Sequence, residues 1–261
     1  PVQKASIVGL DWFILDLLLL SLVFIPMERL FAAKKGQKIF REGWKTDIIH
    51  FCFNHILLQI ILLLSTAPAK MLAVVSSGGV TIKWIRNINP FIQFFLIVLT
   101  MDFFQYWVHR SFHMFPKLWR FHAIHHSVEK MDWLAGSRLH FIDILVTRAV
   151  LFIPLTFLGF AEQPLQAYLV FTAFQTVFIH SNLKWTFKGL RWIIATPAFH
   201  HWHHSSERAA IDKNFAVHLP LLDFLFGTLH FPKQKWPKKY GVDRELIPQE
   251  YTRQLIYPFK F

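Results

Sequence analysis

Residues 109–126 read HRSFHMFPKLWRFHAIHH and place five histidines within eighteen positions. His109 and His113 are four residues apart, one turn along the same face of a helix. His122, His125 and His126 stand at i, i+3 and i+4 and also share a face. Pro116 lies between the two groups. It disfavours helical geometry in the residue before it, so the first helix is expected to end near Phe115. Two short helical faces hinged at that point can converge their imidazoles. Neutral imidazole is a common ligand for zinc, iron and copper. A single histidine is as often an ordinary hydrogen-bonded polar group, but five in this arrangement point to metal.

A second cluster, TPAFHHWHH, occupies 196–204. Thr196 suits an N-cap and Pro197 the first helical position. His200, His203 and His204 repeat the i, i+3, i+4 pattern, while His201 is turned about 100° from His200 and is left off the metal face. His180 ends an apolar segment where the chain returns to the expected site, so it joins the candidate ligands. His140 is a weaker candidate. His50 and His55 are expected to be buried and hydrogen-bonded, and His218 and His230 to be surface or packing residues.

The candidate ligands are therefore His109, His113, His122, His125, His126, His180, His200, His203 and His204. One tetrahedral zinc takes about four ligands, so nine imidazoles suggest two ions with open positions. The Glu-x-x-His pairs of soluble di-iron bundles do not occur here, which leaves bridging to water or hydroxide. Nitrogen-rich, open, redox-capable sites favour iron over magnesium or calcium. The one cysteine, Cys52, permits neither an internal disulfide nor a thiolate cluster. Ligating histidines usually donate their second nitrogen to a carboxylate or carbonyl. Asp102, two turns before His109, is a candidate partner, as are Asn182, Asp212 and Asn214. Glu129, Asp143 and Asp223 are further possibilities, against the plainer roles of salt bridge or cap.

The chain around these clusters is a membrane chain. Of 261 residues 54% are hydrophobic and 17% charged, with 29 Phe and 10 Trp, a composition that implies membrane spans. The net charge of +12 could mean nucleic acid, but the basic residues sit beside apolar runs, and the positive-inside rule accounts for them. Spans are expected at about 8–26, 47–75 and 90–108, with an antiparallel hairpin over 143–180. Asp16 within the first run is expected to face protein rather than lipid. That run is not expected to be a cleavable signal peptide, because no basic region precedes it. The basic segment 28–46 is placed in the cytoplasm, and counting crossings puts His109 on the same side. The whole reads as one all-α, integral-membrane domain over 1–261, with about four transmembrane helices and a cytoplasmic histidine cap formed by 109–142 and 181–240.

With these residues in hand, the chain resembles the fatty acid hydroxylase and sterol desaturase superfamily. The resemblance is carried by HRSFH, HAIHH, His-Ser-Asn at 180–182, HHWHH after Thr-Pro, and DKNFAVHLPLLDFLFGT at 212–228. It covers roughly residues 100–230. It implies a non-haem di-iron site that activates dioxygen against a C–H bond of a lipid, with zinc able to replace iron on purification. The metal positions carry over to the nine histidines above, and Lys184 stands where some relatives have a further histidine, leaving His140 or water to fill that place. Hydroxylation of a sterol, fatty acyl or related apolar substrate is the preferred reaction. Desaturation at the same site is the nearest alternative, and a non-catalytic membrane metal-binding protein is the alternative of another class. Electrons are expected from a separate ferredoxin or cytochrome with its reductase, since no haem module or dinucleotide fingerprint is apparent. The membrane could be a bacterial inner membrane or the endoplasmic reticulum.

Overall fold

The computed structural model describes residues 10–75, 82, 84–187, 189–232, 235–243 and 246–260. Among these the chain is mostly helical and contains no strand, only the isolated bridges Ala32–Leu183 and Ser205–Tyr240. The helices are α1 (Leu10–Leu30), α2 (Trp44–Ile56), α3 (Leu58–Val75), α4 (Pro90–Met114), α5 (Pro116–His126), α6 (Phe141–Leu158), α7 (Glu162–His180), α8 (Pro197–His203), α9 (Leu221–Leu225) and α10 (Tyr251–Ile256).

α4 is the central element. Asn89 caps it by accepting a hydrogen bond from the Phe91 N–H, with Pro90 in the first turn. Its buried residues change character along its length, from Ile97 and Met101 near one end to Tyr106, His109 and Phe112 near the other. It packs against α5, α6 and α7. The expected stop before Pro116 is present. Phe115 is extended (φ −101°, ψ 116°) and serves as both the end of α4 and the cap of α5. The Thr196–Pro197 start of α8 is also present, although the Thr196 side chain makes no capping hydrogen bond.

Three expectations about the membrane part change. The run 47–75 is not one straight span: it breaks at Leu57 and bends by 56° between α2 and α3. Residues 143–180 do not form a closely packed hairpin, because α6 lies along α3 and α4 whereas α7 lies on α4 and α8. By length and composition, among the described residues, two helices, α4 and α6, are long and apolar enough to cross a membrane, or three counting the bent pair. α7 falls short because Glu162, Gln163, Gln166 and Gln175 dilute its apolar character. Finally, Asp16 is exposed on α1 rather than turned into protein.

Two apolar clusters fix the helices on either side of the histidines. Phe24 of α1 packs with Trp133, Phe178, Ile179, Leu183 and Phe199. Farther along α4, Ile97, Val98 and Met101 pack with Phe160 and Tyr168.

Candidate metal centre

The ends of α4, α5, α7 and α8 bring nine imidazoles together in two groups. His109, His113, His122, His126 and His203 form one, and His125, His180, His200 and His204 the other; within each group the candidate ligand atoms lie within 4.8 Å of one another. The groups adjoin where the His126 and His204 rings stack, centroids 4.6 Å apart. All nine positions expected from the sequence are in these groups.

The helices contribute in a crossed manner. α5 sends His122 and His126, its i and i+4 rings, to the first group and His125 to the second. α8 does the reverse, sending His200 and His204 to the second group and His203 to the first. A helix turn separates i and i+4 by only about 40°, while i+3 lies on the other flank of the stripe, so one stripe serves two centres.

The far sides of the rings show what the near sides need. His109 Nδ1 donates to the carbonyl oxygen of Phe215 (2.7 Å) and His122 Nδ1 to the Asp143 carboxylate (2.7 Å). In the second group His125 Nδ1 donates to Arg138 O (3.1 Å) and His180 Nδ1 to Thr176 O (2.6 Å). A carbonyl or carboxylate oxygen can only accept, so these Nδ1 atoms carry a proton, and in a neutral ring the Nε2 atom then carries none. Yet His109 Nε2 lies 3.0 Å from His122 Nε2, and His125 Nε2 lies 3.2 Å from His180 Nε2. Two bare lone pairs at that distance cannot form a hydrogen bond. They repel unless a cation lies beside both. Metal ligands about 2.1 Å from a common ion and at right angles are about 3 Å apart, which is the spacing seen.

Other atoms agree. His113 Nδ1 donates to Asp212 and His203 Nδ1 to Lys213 O, while both Nε2 atoms, and that of His126, are buried without a partner. Burial, then the neighbouring imidazoles, holds His125, His126, His200, His203 and His204 well below the ordinary histidine pKa. Rings kept neutral with inward lone pairs fit a divalent metal, which requires deprotonated nitrogen.

The residues behind the rings divide the expectations. Asp212 does touch His113 Nδ1, at 3.1 Å. Asp102 does not touch a histidine ring. Its carboxylate accepts the backbone N–H groups of Val217, His218 and Leu219, while Asp223 accepts those of Phe215 and Ala216. Together they fix the segment whose Phe215 carbonyl receives His109, so Asp102 acts through the backbone. Burial raises the Asp223 carboxyl to about 6 despite those bonds. Asn182 ties to the Lys34 backbone and Asn214 to Phe199 O and the His230 backbone, neither to a ring. Asp212 and Asn214 both have left-handed backbone (φ 57° and 61°), which Asp and Asn tolerate best. That double kink turns Lys213 O toward His203.

The histidines left out are out for identifiable reasons. His201 Nε2 donates to Ser181 O and His180 O, and its Nδ1 accepts from Tyr240. His140 caps α6 through Nδ1 and donates to Leu255 O, so it fills no place among the imidazoles. His50 is buried and bonded to Leu139 O and Gln254, as expected. His218 is buried, with Tyr168 3.4 Å away. The sequence reading missed the carbonyl acceptors, which no side-chain pattern reveals. Asp143 it held as one possibility among several; its place in the first turn of α6 after the His140 cap is the signal.

A family model for fatty acid hydroxylase matches residues 94–228. The chain belongs to the fatty acid hydroxylase family. The match encloses all nine imidazoles. An ornithine lipid hydroxylase of Rhizobium tropici is 31% identical over 90% of this chain and 70% of its own length. Alkylglycerol monooxygenases of Xenopus tropicalis and Homo sapiens are each 31% identical, over 54% and 52% of this chain and 31% and 30% of their own. The chain thus spans about a third of those animal proteins. No solved structure matches this fatty acid hydroxylase family member. Its hydroxylase and monooxygenase relatives make it an oxidoreductase of lipid metabolism, and its apolar helices make it a membrane protein.

Proposed function

We propose that this chain is a dioxygen-dependent, non-haem di-iron monooxygenase that hydroxylates an unactivated C–H bond of a membrane lipid. The observation that carries the reading is the pair of Nε2 contacts between rings whose protons are both committed elsewhere. His109, His113, His122, His126 and His203 hold one iron, and His125, His180, His200 and His204 the other. Iron at this site supplies the dioxygen chemistry that breaks an aliphatic C–H bond.

The chain's own residues orient and shield. Phe215 O, Asp143, Arg138 O, Thr176 O, Lys213 O and Asp212 hold the Nδ1 atoms of six of the nine rings, so that those six turn their Nε2 atoms inward. Trp119 covers the outer edge, with ring centroids 5.1 Å from His113 and 5.4 Å from His126. An apolar cavity of about 340 Å³ lies at the α2–α3 break, walled by Phe53, Leu57, Phe141 and Leu145. We assign it to the apolar part of the substrate, because the helix forming that wall also carries Asp143 behind His122. The substrate class is a lipid with a long alkyl or acyl chain, as the relatives' names suggest. Residues 1–261 act as one membrane-embedded domain with the irons on the cytoplasmic face, beside the basic segment 28–46. A separate ferredoxin or cytochrome delivers the two electrons per turnover.

The test is lipid mass spectrometry of a lipid-producing host expressing the wild type or the His125→Ala, His126→Ala double variant. Gain of one oxygen only with the wild type supports hydroxylation. Loss of two hydrogens would assign desaturation instead. Identical lipids from both, with iron and a competent reductase present, would overturn the reading.

A further inference from the structure

A second site lies on the other side of His180, where the chain leaves α1. A cavity of about 280 Å³ is lined there by Arg29, Lys34, Lys35, Lys38 and Lys184, with Glu28 as the one carboxylate. Glu28 is already committed, since one of its oxygens accepts the N–H groups of Trp133 and Asn182, each at 2.8 Å. None of the five cations has a carboxylate within ion-pair distance among the described residues. Four are exposed. Lys34 is half-buried with its ammonium 4.1 Å from the centre of the Tyr240 ring, and burial lowers its pKa. Among the described residues the backbone N–H groups of Lys35, Gly36 and Lys38 find no acceptor, that of Gln37 closes a turn onto Lys34, and Gly36 has left-handed backbone (φ 78°). Successive free N–H groups around such a residue make an anion-binding concavity.

The pocket is concave and positively charged, and it opens where an apolar helix ends. We propose that it binds the phosphate of an anionic phospholipid headgroup, at a site separate from the metal centre. A row of exposed lysines alone would attract any anionic surface. Here a cavity, unpaired cations and free N–H donors coincide, which suits one phosphate group. Its wall is also the backbone that holds His180. Ala33 N–H donates to Asn182 O, Lys34 N–H to Asn182 Oδ1, and Lys184 N–H to Phe31 O. Tyr240, under the Lys34 ammonium, donates to His201, which donates to His180 O. A bound headgroup would therefore fasten the segment that presents one imidazole.

The test uses the full chain in lipid nanodiscs of phosphatidylcholine with or without phosphatidylglycerol. The readouts are unfolding temperature and lipid retention by native mass spectrometry. Phosphatidylglycerol is expected to raise the unfolding temperature of the wild type, and Lys35→Gln, Lys38→Gln, Lys184→Gln together to remove most of that rise. A control variant removes the same charge from exposed positions elsewhere, Lys45→Gln, Lys117→Gln and Lys238→Gln, and keeps the rise. Equal loss in both variants would overturn the site in favour of a diffuse charge effect. An equal rise from inorganic phosphate in phosphatidylcholine discs would overturn the lipid as its source. Should the triple variant already be unfolded in phosphatidylcholine, Lys184→Gln alone decides: unchanged retention of phosphatidylglycerol refutes the site and lost retention supports it.

Discussion

Gly136 has no room for a side chain. A Cβ there would lie 2.9 Å from His180 Nδ1 and 3.2 Å from its Cγ. The imidazole cannot retreat, because Nδ1 is held by Thr176 O and Nε2 faces His125 and His200. Gly136→Ala is expected to push the ring off its position and weaken metal binding about 10- to 100-fold, the range for disturbed ligand orientation. Metal titration of the purified variant checks this, and wild-type affinity would show the ring to be freely adjustable. The same rings set a pH dependence. In the folded, metal-free protein five imidazoles titrate well below 6.5, whereas in the unfolded chain they titrate near it. Between those values the unfolded chain binds more protons, so stability is present above about pH 6.5 and is lost as pH falls. Carboxyls raised by burial have the opposite sign, Glu28 to about 7, Asp223 to about 6, and Asp132 and Asp212 as well, since their contribution fades as pH rises, but the five imidazoles outnumber them. Thermal unfolding of metal-free protein should therefore drop steadily from about pH 7 to about pH 5. A flat profile would contradict the burial of these rings.

At the scale of elements, α5 shows what spacing reveals and what it leaves open. The i, i+3, i+4 pattern was enough to place His122, His125 and His126 on one stripe. It could not say that His125 turns to a different group, because that depends on where α7 and α8 arrive. The crossed arrangement makes a sharp expectation. His126→Ala should deplete the ion held with His109, His113, His122 and His203, and His125→Ala the ion held with His180, His200 and His204. If each group holds one ion as proposed, each single variant should retain about one metal per chain against about two for the wild type, as counted by elemental analysis. Loss of both ions from either variant would mean that the two groups behave as a single centre. Asp102 teaches a related limit. Its spacing from His109 was read correctly as a shared face, but the N–H groups of 217–219 reached it first. Those N–H groups lie more than a hundred residues away, on a loop whose course no local pattern encodes. The bend after α2 was hidden in the same way, because Ile56, Leu57 and Leu58 continue the apolar run and carry no breaker.

Across the whole molecule, the histidine groups are braced by an ionic knot that the sequence showed only as scattered charges. Arg41 bonds Asp47 (2.6 Å) and Asp132 (2.7 Å), and Asp47 also accepts from Arg138. All four residues are buried, and they join the segment after α1, the start of α2 and the stretch leading into α6. Arg138 is also the residue whose carbonyl holds His125. Gly43, in left-handed conformation (φ 84°), lets the chain pass this guanidinium, since a Cβ there would fall 2.5 Å from its Nη2. Two positive and two negative groups balance, so removing one carboxylate leaves a buried charge without its partner. Asp47→Ala is therefore expected to cost about 3–5 kcal/mol of stability, the range for breaking a buried pair by losing one member. Chemical denaturation should show this loss in metal-stripped protein as well as in metal-loaded protein, since the knot contains no metal-facing nitrogen. If the loss appeared only in the loaded form, the knot would matter solely through His125. If it were absent from both, the brace would lie elsewhere in the helices around α4.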